Sequence, residues 1–84
     1  MEEAIREVLR EFGRLPGGVD GLDKDSDLYR AGLTSHASVN VMLALEDRFD
    51  IEFPDAMLRK STFESIGTIR SALEEMGAAA TVGE

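Results

Sequence analysis

The sequence contains no cysteine, no tryptophan and a single histidine, and only 6% of its residues are aromatic. Without cysteine there is no disulfide framework, no thiolate nucleophile and no cysteine metal cluster. One histidine leaves too few ligands for a zinc site. A serine–histidine hydrolase arrangement would have to pair His36 with its neighbour Ser35. Successive helical residues point about 100° apart, so these two side chains do not align. Autonomous catalysis is therefore not expected. No run of about 18 apolar residues exists, so no membrane span is expected. The opening stretch MEEAIREVLREF is charged throughout, unlike a signal peptide. Basic residues are also scarce: nine Lys and Arg face seventeen Asp and Glu, a formal net charge of −8. That balance repels nucleic-acid phosphates and anionic membranes and favours partners with basic patches. It also serves simple solubility. The plainest expectation is a cytoplasmic monomer that binds neither nucleic acid nor membrane.

What is present fits one small globular domain. The chain has 84 residues, 43% of them hydrophobic. A domain of this size buries roughly 60% of its unfolded surface. In residues 2–12, Ile5, Val8, Leu9 and Phe12 follow the i, i+3, i+4, i+7 spacing of a helix face. Glu2 and Arg6 are spaced for an exposed pair, and Gly13 marks the end. Residues 13–34 form a long connection broken by Pro16 and several glycines, with Leu15, Val19, Leu22 and Leu28 as anchors. Asp25 or Ser26 is the expected cap of a single turn at residues 28–31, with Gly32 after it. The Asp23, Asp25, Asp27 spacing fails the calcium-loop pattern, because Leu28 and Thr34 occupy its glycine and glutamate positions.

A second helix is predicted over 35–49, capped by Thr34 or Ser35. Pro54 and Asp55 suggest a short third helix near 54–59. Ser61 and Glu64 match a capping box for a last helix reaching about Met76, ended by Gly77. The predicted domain covers residues 1–77, and residues 78–84 read as a flexible tail.

The second helix has more apolar surface than one buried stripe can hold. Val41, Met42, Leu45 and Phe49 make one face; His36, Val39, Asn40, Leu43, Glu46 and Asp47 make another. Val39 and Leu43 are either a broadened core stripe or the centre of a partner-docking face with acids at its rim. Glu46, Asp47, Asp50, Glu52 and Asp55 cluster there, opposed in that stretch only by Arg48, and would steer a basic partner. Met57 is either an adaptable contact beside that face or part of the core. On local sequence alone, Ser35 is an ordinary capping serine.

The run Asp27-Leu28-Tyr29-Arg30-Ala31-Gly32-Leu33-Thr34-Ser35, followed by Val39 and Met42-Leu43-Ala44-Leu45-Glu46-Asp47-Arg48-Phe49-Asp50-Ile51-Glu52-Phe53-Pro54-Asp55, resembles the acyl carrier proteins. The resemblance covers residues 25–73. It implies an all-α, four-helix acyl-carrier-like bundle with a long first loop and a short third helix. It also implies that Ser35 receives 4′-phosphopantetheine from coenzyme A through a magnesium-dependent phosphopantetheinyl transferase. Thr34 and His36 stand where the family has aspartate and leucine, and Asn40 where many fatty-acid carriers have glutamate. The Phe12–Pro16 and Phe49–Asp55 segments look like a bacterial group loaded by amino-acid-activating ligases that resemble truncated seryl-tRNA synthetases. An acyl or aminoacyl thioester, with glycine or alanine as cargo, is the implied load. An unmodified helical interaction module with the same fold is the alternative.

Overall fold

The computed structural model describes residues 2–76. It is all-helical, with no strand among the described residues. Helix α1 spans Glu2–Phe12, α2 spans Ser35–Phe49 and α3 spans Ile66–Glu75. Helix α1 packs against both α2 and α3. Its expected apolar stripe buries Ile5, Val8 and Leu9, whereas Phe12 stays partly in solvent. The core is completed by Ala37, Val41, Leu45 and Phe49 of α2, and by Ile66, Ile69, Ala72 and Leu73 of α3.

The short third helix predicted near 54–59 does not form as an α-helix, which leaves three α-helices among the described residues. Residues Asp55–Met57 and Lys60–Phe63 make two 3₁₀ turns separated by Leu58 and Arg59. Arg59 is extended (φ −135°, ψ 161°), so neither turn can propagate into the other. The first turn buries no residue. With only Met57 set partly against the core, a segment this short cannot offset the cost of nucleating an α-helix. The capping box also lies four residues later than expected. Ser65 accepts from the Thr68 backbone N–H at 3.1 Å, and the Thr68 hydroxyl accepts from the Ser65 backbone N–H at 3.0 Å. The expected pair, Ser61 and Glu64, lies in and just after the second 3₁₀ turn, where Phe63 turns in to meet Phe53 at 5.5 Å between ring centroids. The predicted stop at Gly77 and the tail at 78–84 lie outside the described residues.

The long connection, 22 residues without a regular element, is tied down along its length, as a span this long in a compact domain has to be. Val19, Leu28 and Leu33 are buried, and Leu15 and Leu22 pack at the edge of the core. The Leu28 N–H donates to the Glu64 carbonyl at 2.7 Å, and the Gly67 N–H to the Lys24 carbonyl at 2.8 Å. Arg6 donates to the Val19 carbonyl at 3.1 Å, and so is drawn away from the predicted partner Glu2, which instead meets Arg70 at 2.7 Å. Asp27, not Asp25 or Ser26, caps the turn at 28–31, accepting from the N–H groups of Tyr29 and Arg30. Asp23 accepts from the Asp25 N–H and the Ser26 hydroxyl. Those bonds hold its carboxyl below the usual range, the Asp25 N–H contributing most. Asp23 and Asp27 are therefore occupied within the loop itself, and Asp20 pairs with Arg10 of α1 at 3.2 Å. Among the described residues no cluster is placed to hold a metal ion. Gly32 has φ +117°, and a Cβ there would lie 2.5 Å from Pro16 Cδ. Only glycine serves at this point, three residues before α2.

Candidate functional site

Thr34 and Ser35 are the two candidates to cap α2. Thr34 is the cap: it is extended (φ −96°, ψ 163°), and its hydroxyl accepts from the Ala37 N–H at 3.0 Å. Ser35 is the first helical residue, and its side chain is exposed. Its hydroxyl is therefore not consumed by capping. The next serine of α2, Ser38, is half-buried and donates to the Ser35 carbonyl at 2.7 Å. The first turn of α2 carries no acidic residue. A negative group on Ser35 would stand at the positive end of the helix with no carboxylate in that turn to repel it.

Ser35 sits on the lip of an open cleft of about 340 Å³ between α2 and the 3₁₀ segment. Val39, Met42, Leu58 and Phe63 provide apolar walls; Tyr29, Arg59 and Lys60 complete them. The Tyr29 hydroxyl donates to the Lys60 carbonyl at 3.2 Å, and Lys60 Nζ lies 4.9 Å from the centre of the Tyr29 ring. Burial raises the Tyr29 phenol above its ordinary value, and the nearby Glu64 and Asp27 carboxylates add to the effect. Tyr29 thus stays a neutral donor at physiological pH.

Beyond the cleft, α2 presents the mixed face anticipated from its sequence. Val39 and Leu43 are 50% and 52% exposed, which excludes them from the core. His36 and Asp47 are also exposed, and Asn40 is half-buried. Arg48 is drawn to Glu7 of α1 at 2.8 Å. The acids of this stretch are thereby left without their one neighbouring cation.

Two of the anticipated contact residues have other duties. Glu46 is half-buried, and its carboxylate accepts from the Phe53 N–H at 2.8 Å, holding the link after α2 against the helix. Met57 is half-buried and packs on the core, while its neighbour Leu58 is 45% exposed and lines the cleft. Glu46→Ala should cost about 1–2 kcal/mol through the orphaned Phe53 N–H. Asp47→Ala should stay within about 0.5 kcal/mol. Urea unfolding midpoints compare the two. Equal midpoints would show that the Glu46 contact is not structural.

The family model for the phosphopantetheine attachment site matches residues 3–74. The chain belongs to this family of carrier proteins. An aminoacyl carrier protein of Agrobacterium fabrum is 49% identical over 74 residues, covering 88% of this chain and 89% of that protein. A carrier protein from Agrobacterium tumefaciens, solved with an engineered Bradyrhizobium japonicum glycine:carrier protein ligase and AMP, superposes with a TM-score of 0.86. It is 49% identical, and the match covers 88% of this chain and 99% of that one. A match from the crystal structure of the Bradyrhizobium japonicum ligase with glycylated carrier protein has a TM-score of 0.73 and 25% identity, covering 84% of this chain and 95% of that one. The family's prosthetic group is phosphopantetheine, and its members are carriers, not enzymes.

The residues at the mouth of α2 fit such a group. A carrier needs a reachable hydroxyl, a local field that tolerates a phosphodiester, and a surface along which an arm can lie. Ser35 offers the first, the acid-free first turn of α2 the second, and the cleft the third. Of the anticipated site residues, the structure gathers Ser35 and Val39 at the cleft. His36, Asn40, Leu43 and Asp47 remain on the surface of α2. Tyr29, Leu58, Arg59, Lys60 and Phe63 were missed, since their proximity to Ser35 leaves no local signature in the sequence.

Proposed function

We propose that Ser35 is the anchor for 4′-phosphopantetheine and that the carrier delivers an aminoacyl group, glycine or alanine, between partner enzymes. The observation that carries this is the division of labour at the start of α2, where Thr34 caps the helix and Ser35 is left exposed. A phosphopantetheinyl transferase would join the Ser35 oxygen to the phosphate of coenzyme A, with loss of the hydroxyl proton and release of adenosine 3′,5′-bisphosphate. The arm supplies the thiol that holds the cargo as a thioester. The chain's own residues position that arm and select the partner. The aminoacyl cargo and an amino-acid-activating ligase of the seryl-tRNA-synthetase-like group are supported by the relatives named above. Thr34 in place of the family aspartate removes a charge beside the anchor but keeps the cap. Loading by the transferase therefore has to rest on the remaining surface of α2. The proposed carrier domain is residues 1–77, within the four-helix carrier type in which the 3₁₀ segment stands for the third helix. The cytoplasm is the proposed location, where coenzyme A and such ligases meet.

Intact mass after incubation with coenzyme A and a broad-specificity transferase tests the proposal. Addition of one phosphopantetheine is expected. No addition, under conditions that load a control carrier, would favour the unmodified interaction module.

Docking is proposed to use the exposed α2 face, centred on Val39 and Leu43 with His36, Asn40 and Asp47 around them. Asp47→Lys should slow association with a glycine-activating ligase severalfold, roughly threefold to tenfold, at low ionic strength. The defect should shrink at high salt. Stopped-flow association rates provide the measurement, and an unchanged rate at low salt would remove Asp47 from the interface.

A further inference from the structure

Arg59 and Lys60 occupy an unusual place in a protein of formal charge −8. They are the two charged residues lining the cleft at Ser35, and both are cations. Neither forms an ion pair with any described residue, and among the basic residues these two alone line that cleft. Each makes a contact that leaves its charge available. Arg59 donates from Nε to the Ala56 carbonyl at 2.9 Å, leaving its terminal amino groups for another acceptor. Lys60 Nζ rests over the Tyr29 ring, inside the same cleft wall, and the Tyr29 hydroxyl clamps the Lys60 carbonyl. Sequence distance hides this grouping, since Ser35 and Lys60 are separated by the rest of α2 and the link.

We infer that Arg59 and Lys60 bind the phosphodiester of the arm on Ser35 and lay the pantetheine along the cleft over Val39, Met42 and Leu58. The inference rests on Ser35 being the anchor. The physical case is charge complementarity joined to tethering. Two exposed cations would bind a free phosphate weakly, because water and salt screen them. A phosphodiester fixed to a residue of the same cleft has a high effective concentration there, so weak contacts suffice to bias the arm. The arm's remaining length has amide groups and short aliphatic stretches. An open cleft with apolar walls and a few polar groups suits it better than a closed apolar cavity would. Arg59 and Lys60 thereby act as positioning residues for the arm, opposite in sign to the acidic face further along α2. The docked arm would be released when a partner competes for it or when salt screens the pair.

The test uses ¹⁵N-labelled protein, unloaded and loaded with phosphopantetheine, in the wild type and in the double variant Arg59→Gln, Lys60→Gln. Intact mass first establishes loading on Ser35. In the wild type, loading is expected to shift the amides of Tyr29, Met42 and Leu58–Lys60 as well as those of the first turn of α2. In the double variant the distant shifts should fall about threefold to fivefold, as for loss of two screened contacts, and the shifts next to Ser35 should remain. The Arg59→Lys, Lys60→Arg variant should keep the wild-type pattern. Unloaded spectra of all three proteins report whether the fold is intact. Loaded wild type with shifts confined to residues 34–38, or distant shifts indifferent to the double substitution, would overturn the inference while leaving the anchor in place. Failure of Ser35 to gain the arm at all would instead remove the anchor, and the inference with it.

Discussion

Ser35→Ala protein is expected to gain no mass when incubated with coenzyme A and a transferase that loads the wild type to completion. Its unfolding free energy should differ from the wild type by less than about 0.5 kcal/mol. Both halves follow from one geometry. The Ser35 hydroxyl is exposed and is not the cap of α2, so its removal orphans no capped N–H. Thr34→Ala is the mirror experiment. It removes the acceptor for the Ala37 N–H and should cost about 0.5–2 kcal/mol, yet it leaves the anchoring oxygen in place, so loading should persist. Ser38→Ala should also load, because that hydroxyl is turned back onto the Ser35 carbonyl. Mass spectrometry reads loading and urea unfolding reads stability. Addition that survives Ser35→Ala would refute the anchor outright. A large loss of stability in Ser35→Ala would instead show that its hydroxyl supports the helix.

The second large effect concerns stability. Leu28→Ala should lower the unfolding free energy by about 2–5 kcal/mol, the range for emptying a fully buried leucine site. A domain of this length has a total stability of about 4–13 kcal/mol, so the substitution removes a large fraction of it. Leu28 is fully buried although it lies in a connection, not a helix. Its N–H donates to the Glu64 carbonyl, and its carbonyl accepts from the Leu33 N–H at 2.9 Å. These bonds fix the approach to α2 and tie it to the segment before α3. Leu22→Ala, at a half-buried position of the same connection, should cost clearly less. Thermal unfolding separates the two, with a shift of roughly 10 °C or more for Leu28→Ala. Equal, small shifts would mean that the connection is a loose loop and not part of the core.

Together these experiments divide the chain between scaffold and site. Ile5, Leu28, Leu45 and Ile69, drawn from α1, the connection, α2 and α3, are fully buried. The exposed surface around Ser35 contributes little to that core and is free to serve recognition. Glu46 crosses the division: its carboxylate lies on the mixed face of α2 but is spent on the Phe53 N–H. Asp47, one residue on, is free of that duty and exposed.

The sequence by itself determined the bounds of α1 and α2, the buried stripe of α1 apart from Phe12, the excess apolar surface of α2 and the carrier-family motif around Ser35. Each of these is a local pattern, set by side-chain periodicity or by residues adjacent in the chain, and survives without knowledge of the partners it packs against. Tertiary structure decided what depends on competition among equivalent neighbours. Thr34 and Ser35 are both competent caps, and backbone geometry chose Thr34. Asp25, Ser26 and Asp27 could all cap the turn at 28–31, and Asp27 alone caps it. Ser61 and Ser65 could each open α3, and the inward turn of Phe63 onto Phe53 favoured Ser65. The segment after Pro54 had the residues for a helix but only Met57 to set against the core before Phe63, so it broke into 3₁₀ turns. That break carried Leu58, Arg59 and Lys60 to the lip beside Ser35, a juxtaposition that no spacing in the chain encodes.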